Sequence, residues 1–412
     1  MRIVYTAFLW LILPLVVARL WWRGRREPGY REAVAERFGF YEDQAKPKVI
    51  WVHAVSVGEV RAAAPLVRAL QEALPDHGLL VTCTTAAGRE MLKQVYGESV
   101  AAAYLPYDYP HAIQRFLEHF RPRLGALMET EVWPNLVAVC AENAVPLLLA
   151  NARMSEKSAR RYRRWRSLGA PAFRGLAAVC AQSGDDAARL RALGATRVEV
   201  TGNLKFDVQP DAAQLEAGRA WRAALGRPVL LLASTREGEE RLLLDALPAE
   251  PRALVVVVPR HPQRFDEVAL LAQGRRSRGD AVASGTRVYL GDTMGEMTFY
   301  YGACDVAVIG GSFVPVGGQN LIEALACGAP VVIGPSVFNF AQATQFALDA
   351  GAALQAADAA SGIAAALRLL DDPKRSAMAE AGRALCEAHR GATARHLAIC
   401  REIIKQGQTT VS

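Results

Sequence analysis

The chain has 412 residues, 51% of them hydrophobic and 22% charged, with a formal net charge of +7 from 48 basic and 41 acidic side chains. That composition excludes a disordered or low-complexity chain, and the length exceeds what one core of ordinary size organises, so two domains are expected. The seven cysteines are scattered and none forms a CxxC pair, so neither a disulfide framework nor a zinc site is indicated.

At the N-terminus, Ile3 to Ala18, "IVYTAFLWLILPLVVA", is an uncharged apolar run, followed by "RLWWRGRR" with Arg19, Arg23, Arg25 and Arg26. The run is slightly short for a full span unless Leu20, Trp21 and Trp22 extend it and Arg19 snorkels to the interface. The positive charge follows the run and no small-x-small cleavage site appears, unlike a secretory signal peptide. The basic flank is expected to hold the rest of the chain in the cytoplasm. A helix lying in the membrane plane is the alternative to a span. Next, "GYREAVAERFGFY" predicts a short amphipathic helix ending at Gly39.

From Lys48 onward, buried strand patterns alternate with helical ones. "KVIWVHA" and "GLLVTCTT" read as continuous apolar strands, with a helix over Glu59 to Leu74 between them. "RLGALMET", "AVPLLLAN", "GLAAVCAQS" and "TRVEVTGNLKF" complete the first half. Polar, Pro-containing sequence at Asn203 to Gln214 reads as an interdomain linker. "RPVLLLAST", "ALVVVVPRH", "RVYLGD", "VAVIGGS" and "APVVIGP" form a second series. The expectation is α/β: two doubly wound parallel sheets, with ligands beyond the carboxyl ends of their strands and hence in the cleft between the domains.

The residues after each strand carry the candidate chemistry. "VSVGEV" has one glycine, so the dinucleotide fingerprint fails. Its Glu59 falls in a first helical turn, where the dipole favours the ionised form; it is either a general base or helix-end electrostatics. "ETEVWPN" sets Glu129 and Glu131 two apart before Trp133, so in an extended segment both carboxylates point the same way. Lys205 in "GNLKF" reaches a developing negative charge or is solvated. Arg260 in "PRHP" suits a phosphate or a base edge, because a guanidinium offers a planar fork of donors.

"GGQNLIEALA" puts glycines ahead of a helix, with Asn320 and Glu323 three apart. Several backbone N–H groups are then left for a phosphate, and the carboxylate for a ribose; a capping pair is the other reading. No D-x-D motif and no His/Asp cluster with metal spacing occurs, so no metal site is indicated, and no P-loop is present. "RRYRRWR" is a basic run interleaved with aromatics that suits nucleic acid, an anionic lipid headgroup or solvent.

The blocks "WVHAVSVGEV", "METEVWPN", "NARMSEKSARRY", "GNLKFD", "ASTREGEE", "VPRHPQRF", "GDTMGEM" and "IGGSFVPVGGQNLIEALACGAPVVIGP" run in order over nearly the whole chain. In them the sequence closely resembles the 3-deoxy-D-manno-octulosonic acid (Kdo) transferases of lipid A assembly. The resemblance implies a GT-B fold: a membrane anchor over 1–22, an acceptor-binding Rossmann-like domain over 23–205 and a CMP-Kdo-binding one over 206–412. It implies transfer of Kdo from CMP-Kdo to the precursor lipid IV(A) at the cytoplasmic face of the inner membrane, with inversion, without metal or cofactor and without nucleic acid.

By the same resemblance Glu59 matches the catalytic base, and Glu129 and Lys205 match residues that stabilise the transition state. Pro259 and Arg260, then Met294, Gly295 and Glu296, then Asn320, Leu321, Ile322 and Glu323 match the segments that contact CMP. Two positions depart from the family's pattern: Gln319 and Arg236 stand where histidines are usual. Glutamine donates a hydrogen bond but does not titrate near neutrality, so an orienting role is expected at 319. The rival readings are a GT-B enzyme of envelope synthesis that uses a UDP-sugar, and a membrane-tethered nucleic-acid-binding protein built on "RRYRRWR".

Overall fold

A computed structural model describes residues 1–25, 27–42, 49–249 and 252–409; Arg26 of the basic flank and Lys48 of the first expected strand lie outside them. In the first half, β1 (Val49–His53), β2 (Gly78–Cys83), β3 (Ala101–Tyr104), β4 (Pro122–Met128), β5 (Leu147–Ala152), β6 (Ala178–Ala181) and β7 (Val198–Val200) form one sheet. Its order is β3-β2-β1-β4-β5-β6-β7 and all its pairs are parallel. Helices cover both faces, which is why β1 reads "VIWVH" and is buried throughout. Alternation divides it: Val49 and Trp51 enter the core with Phe116 and Leu136, while Ile50 and Val52 enter the one with Val60 and Leu66.

The second half repeats the plan with β8 (Val229–Thr235), β9 (Leu254–Pro259), β10 (Gly274–Arg275), β11 (Val288–Leu290), β12 (Val306–Ile309), β13 (Val331–Ile333) and β14 (Ala353–Gln355). These run in the order β10-β11-β9-β8-β12-β13-β14, again parallel. The expected α/β class is therefore observed in both halves.

The division of the chain differs from the sequence reading at its C-terminal end. One compact unit is Met1–Asp207 with Gly391–Ser412, and the other is Val208–Arg390, so the second domain does not run from 206 to 412. The physical reason is the last helix, Ala392–Thr409, whose Ile399, Cys400, Ile403 and Ile404 join the core around Val60 and Leu66. Asp207 fixes the return, its carboxylate accepting from Gly391 N at 2.9 Å and Thr393 N at 2.7 Å. His396 Nε2 accepts from Asn151 N at 3.0 Å.

Helix α1 (Arg2–Arg23) is long and apolar enough to cross a membrane by length and composition. One side of it docks on the first unit. The Tyr5 hydroxyl donates to Asp108 at 2.9 Å, Thr6 donates to Asn135 Oδ1 at 3.0 Å, and Tyr109 donates to the Leu9 carbonyl at 2.7 Å. The opposite side exposes Ile3, Val4, Phe8, Leu11 and Leu15 at helical spacing. The segment after α1 is not the expected amphipathic helix. It forms two short 3₁₀ turns, Pro28–Arg31 and Val34–Phe38, because Ala33 between them adopts φ +48 and breaks the helical run.

Candidate active site

In the first sheet the strand order reverses direction between β1 and β4, so the crevice beyond their carboxyl ends is the place for a ligand. Helix α2 (Val57–Ala73) starts immediately after β1 with Ser56 as N-cap. Ser56 Oγ accepts from Glu59 N at 3.4 Å, while the Glu59 carboxylate accepts from Ser56 Oγ at 3.1 Å and Val55 N at 2.9 Å. This is a capping arrangement, so helix-end electrostatics is part of what Glu59 does.

The protonation of Glu59 differs from the sequence expectation. Burial pushes its carboxyl up to about 7, Glu129 and Glu131 add to the rise, and the Val55 N–H pulls against it. The helix dipole is outweighed because the carboxylate is half-buried beside two others of its own charge. A base of that strength near neutrality is well matched to deprotonating a hydroxyl.

Glu129 lies beyond β4, and here too the expectation is corrected. The segment is a tight turn in which Glu129 takes φ +57, so Glu129 and Glu131 do not project together from an extended strand. Glu129 accepts from Lys205 Nζ at 2.8 Å in a half-buried ion pair. Lys205 is placed from below: Asn151 Oδ1 accepts from Leu204 N at 3.0 Å, and Asn203 Oδ1 accepts from Lys205 N at 3.0 Å. Asn151 is itself left-handed at φ +51. Strained backbone at both supports of one ion pair is the pattern of a functional site.

Glu131 instead accepts from Trp133 Nε1 at 2.8 Å, and burial raises its carboxyl above the ordinary range. Behind it lies His53, a neighbour the sequence reading passed over. Its Nδ1 is 2.9 Å from Thr82 Oγ1, its ring meets Trp133 edge-on at 5.7 Å, and burial pushes it down to about 3. The histidine is therefore neutral at working pH and supports the wall of the site. The signal for it was its place as the last residue of β1.

In the second unit the reversal falls between β8 and β12. Pro259 closes β9 and is buried, while Arg260 follows it exposed, in no ion pair among the described residues. The Asn320 amide donates to Glu323 Oε1 at 3.0 Å, and its Oδ1 accepts from Ile322 N at 3.0 Å. Burial raises the Glu323 carboxyl, with Asn320 and Arg260 pulling it down, so Arg260 and Glu323 act on a common space.

The glycine-rich entry is less open than expected. Gly317 N donates to Ser336 Oγ, Gly318 N to the Gly311 carbonyl and Gln319 N to the Gly310 carbonyl. Among the described residues the N–H groups of Asn320 and Leu321 remain for a ligand. The helix itself, Ile322–Cys327, is short; the side chains of Leu321 and Ile322 are buried and Ile322 N is held by Asn320, which leaves the Leu321 N–H of the two to contribute. Glu296 is committed to a two-pronged pair with Arg276, at 2.7 and 3.1 Å, which holds its carboxyl below the usual range. The exposed Met294 and the Gly295 backbone, at φ +77, are what that loop presents.

Two parallel α/β units, each with charged groups gathered where its strand order reverses, are the architecture of the GT-B fold class. MurG from Acinetobacter baumannii shares this fold with a TM-score of 0.54 at 14% identity, over 86% of this chain and 100% of its own. Residues 32–208 match the family described as 3-Deoxy-D-manno-octulosonic-acid transferase (kdotransferase). The 3-deoxy-D-manno-octulosonic acid transferase of Bordetella pertussis is 48% identical over 96% of this chain and 98% of its own. That of Haemophilus influenzae is 34% identical over 98% and 99%. The chain belongs to the 3-deoxy-D-manno-octulosonic acid transferase family.

Proposed function

We propose that the protein transfers Kdo from CMP-Kdo to lipid IV(A) in lipopolysaccharide core biosynthesis, with Glu59 as general base and inversion at the anomeric centre. The observation that carries the mechanism is the half-buried Glu59, set near neutrality beside the Glu129–Lys205 pair. Glu59 takes the proton of an acceptor hydroxyl. The ammonium of Lys205, held by Glu129, stabilises negative charge that develops in the transition state. The second unit holds the nucleotide through Arg260, the Met294–Glu296 loop backbone and the Asn320–Glu323 segment. CMP is a good leaving group, so charge stabilisation suffices for its departure and the proposed reaction uses no metal.

Incubation with CMP-Kdo and lipid IV(A), followed by the product mass, tests this reading. Transfer from UDP-N-acetylglucosamine in its place would favour the rival glycosyltransferase. Undiminished transfer in EDTA is the expected result for the metal-free route. Arg260→Ala is expected to raise the Kd for CMP by about 10-fold or more with little change in Tm, because an exposed arginine without an ion pair carries ligand and not core. Unchanged CMP affinity by calorimetry would return Arg260 to the solvated surface.

The acceptor is membrane-embedded, and α1 is read as the anchor on the cytoplasmic face of the inner membrane. Its docked side, through Tyr5, Thr6 and Leu9, favours a helix lying in the membrane plane over a span, since a span would strip those groups of partners in hydrocarbon. Trp10 and Trp21 are then expected at one shallow depth by brominated-lipid quenching; a deep Trp10 with a shallow Trp21 would support a span. Leu11→Glu with Leu15→Glu should release the protein from vesicles while sparing activity on detergent-dispersed acceptor.

A further inference from the structure

The second unit contains one cationic side chain at its strand reversal that the reading above leaves without a role. Arg236 follows directly on β8, and the reversal of strand order lies between β8 and β12. A ligand at such a point reaches backbone from two diverging connections. The end of β8 is irregular there: its register on β9 shifts between Ala233 and Thr235, and Ser234 takes φ +56. A bulge of this kind re-aims the side chains that follow it.

The re-aimed Arg236 lies against the loop after β12. A Cβ built on Gly311 would stand 3.3 Å from Arg236 Cγ and 3.0 Å from Gln319 Nε2. Arg236 and Gln319 are thus neighbours in space around Gly311. Arg236 is half-buried and enters no ion pair among the described residues; its Nη1 lies 2.6 Å from His261 Nε2. Burial and the surrounding arginines hold His261 below the usual imidazole range, so it is neutral and accepts from the guanidinium.

The buried acids nearby, Glu239 and Glu240, are already engaged. Glu239 accepts from the backbone N–H groups of Gly311 at 2.6 Å, Phe313 at 3.0 Å and Arg236 at 3.0 Å. Glu240 is held in a fork by Arg264 at 2.6 and 3.0 Å. What remains is an oriented guanidinium with a glutamine amide beside it and, on the next strand end, Arg260. That set of donors calls for an anion with several oxygens.

We propose that Arg236 grips the phosphate of the donor nucleotide, with His261 orienting its fork and Gln319 Nε2 as a second donor. This rests on the reading of the second unit as the CMP site. Calorimetry on the full-length protein with CMP and with cytidine tests it. Arg236→Ala should weaken CMP binding by about 10- to 100-fold and leave cytidine binding unchanged, since only CMP carries the phosphate. Arg236→Lys should recover part of the loss, because a point charge replaces a fork. Equal losses for CMP and cytidine, or unchanged CMP affinity, overturn the assignment. Wild-type protein that binds both alike also overturns it, whereas wild-type protein that binds neither overturns instead the reading on which it rests.

Discussion

Glu59→Gln is expected to fold, to bind CMP with wild-type affinity and to lose transfer by about 10²-fold or more. The amide oxygen can still accept from Val55 N, so the start of α2 is kept while the proton acceptor is lost. The pH profile makes the assignment specific. With its carboxyl pushed up to about 7, Glu59 is protonated and inactive as a base in acid, so wild-type kcat/KM should climb with pH until about 7 and then level. The Gln variant should lack that limb. The same shift has a stability sign: the folded state holds this proton more tightly than the unfolded chain, whose value is near 4.5, so stability falls as pH rises from there through about 7. The Gln variant should be spared that fall. Near-wild-type turnover would remove Glu59 from the mechanism.

Lys205→Ala is expected to cost about 10² to 10³ in kcat, the range for removing a positioned charge from a developing anion. The loss has a second component. Without the ammonium at 2.8 Å, Glu129 stands unpaired beside Glu59 and Glu131, and three carboxylates share one crevice. Repulsion then raises the Glu59 carboxyl further, so the acidic limb of the profile should move to higher pH along with the fall in rate. Lys205→Arg should restore the position of the limb better than it restores the rate. A profile that keeps its midpoint in Lys205→Ala would mean that the lysine does not act on Glu59.

The parts of the fold that follow from continuous burial were legible in the sequence. β1, β5, β8, β9 and β12 are built mainly from Val, Leu, Ile and Ala because both faces of a parallel sheet are covered. β3, β10 and β14 were not legible, being short and partly exposed, with alanine, glycine or arginine where apolar bulk would be expected. Glu59, Glu129 and Lys205 were legible as strand-end residues, yet not their mutual effect. The left-handed turn at Glu129 and the support of Lys205 by Asn151 are set by tertiary contacts. The meeting of Arg236 with Gln319 around Gly311 likewise depends on two loops brought together by strand order.

The last helix, Ala392–Thr409, carries a consequence for how the protein is made. The first unit is completed only after the second has been made, because the ribosome must complete Val208–Arg390 before the residues that cover α2 emerge. At about 5–20 residues per second that interval is roughly 10–40 s. Throughout it the nascent chain bears a bare apolar seam over Val60 and Leu66 in addition to the membrane-seeking stripe of α1. The second unit is continuous in sequence and has no such wait. Translation thus delivers a finished second unit attached to an open first one, and the emergence of Ala392–Thr409 is what closes the core around Val60 and Leu66.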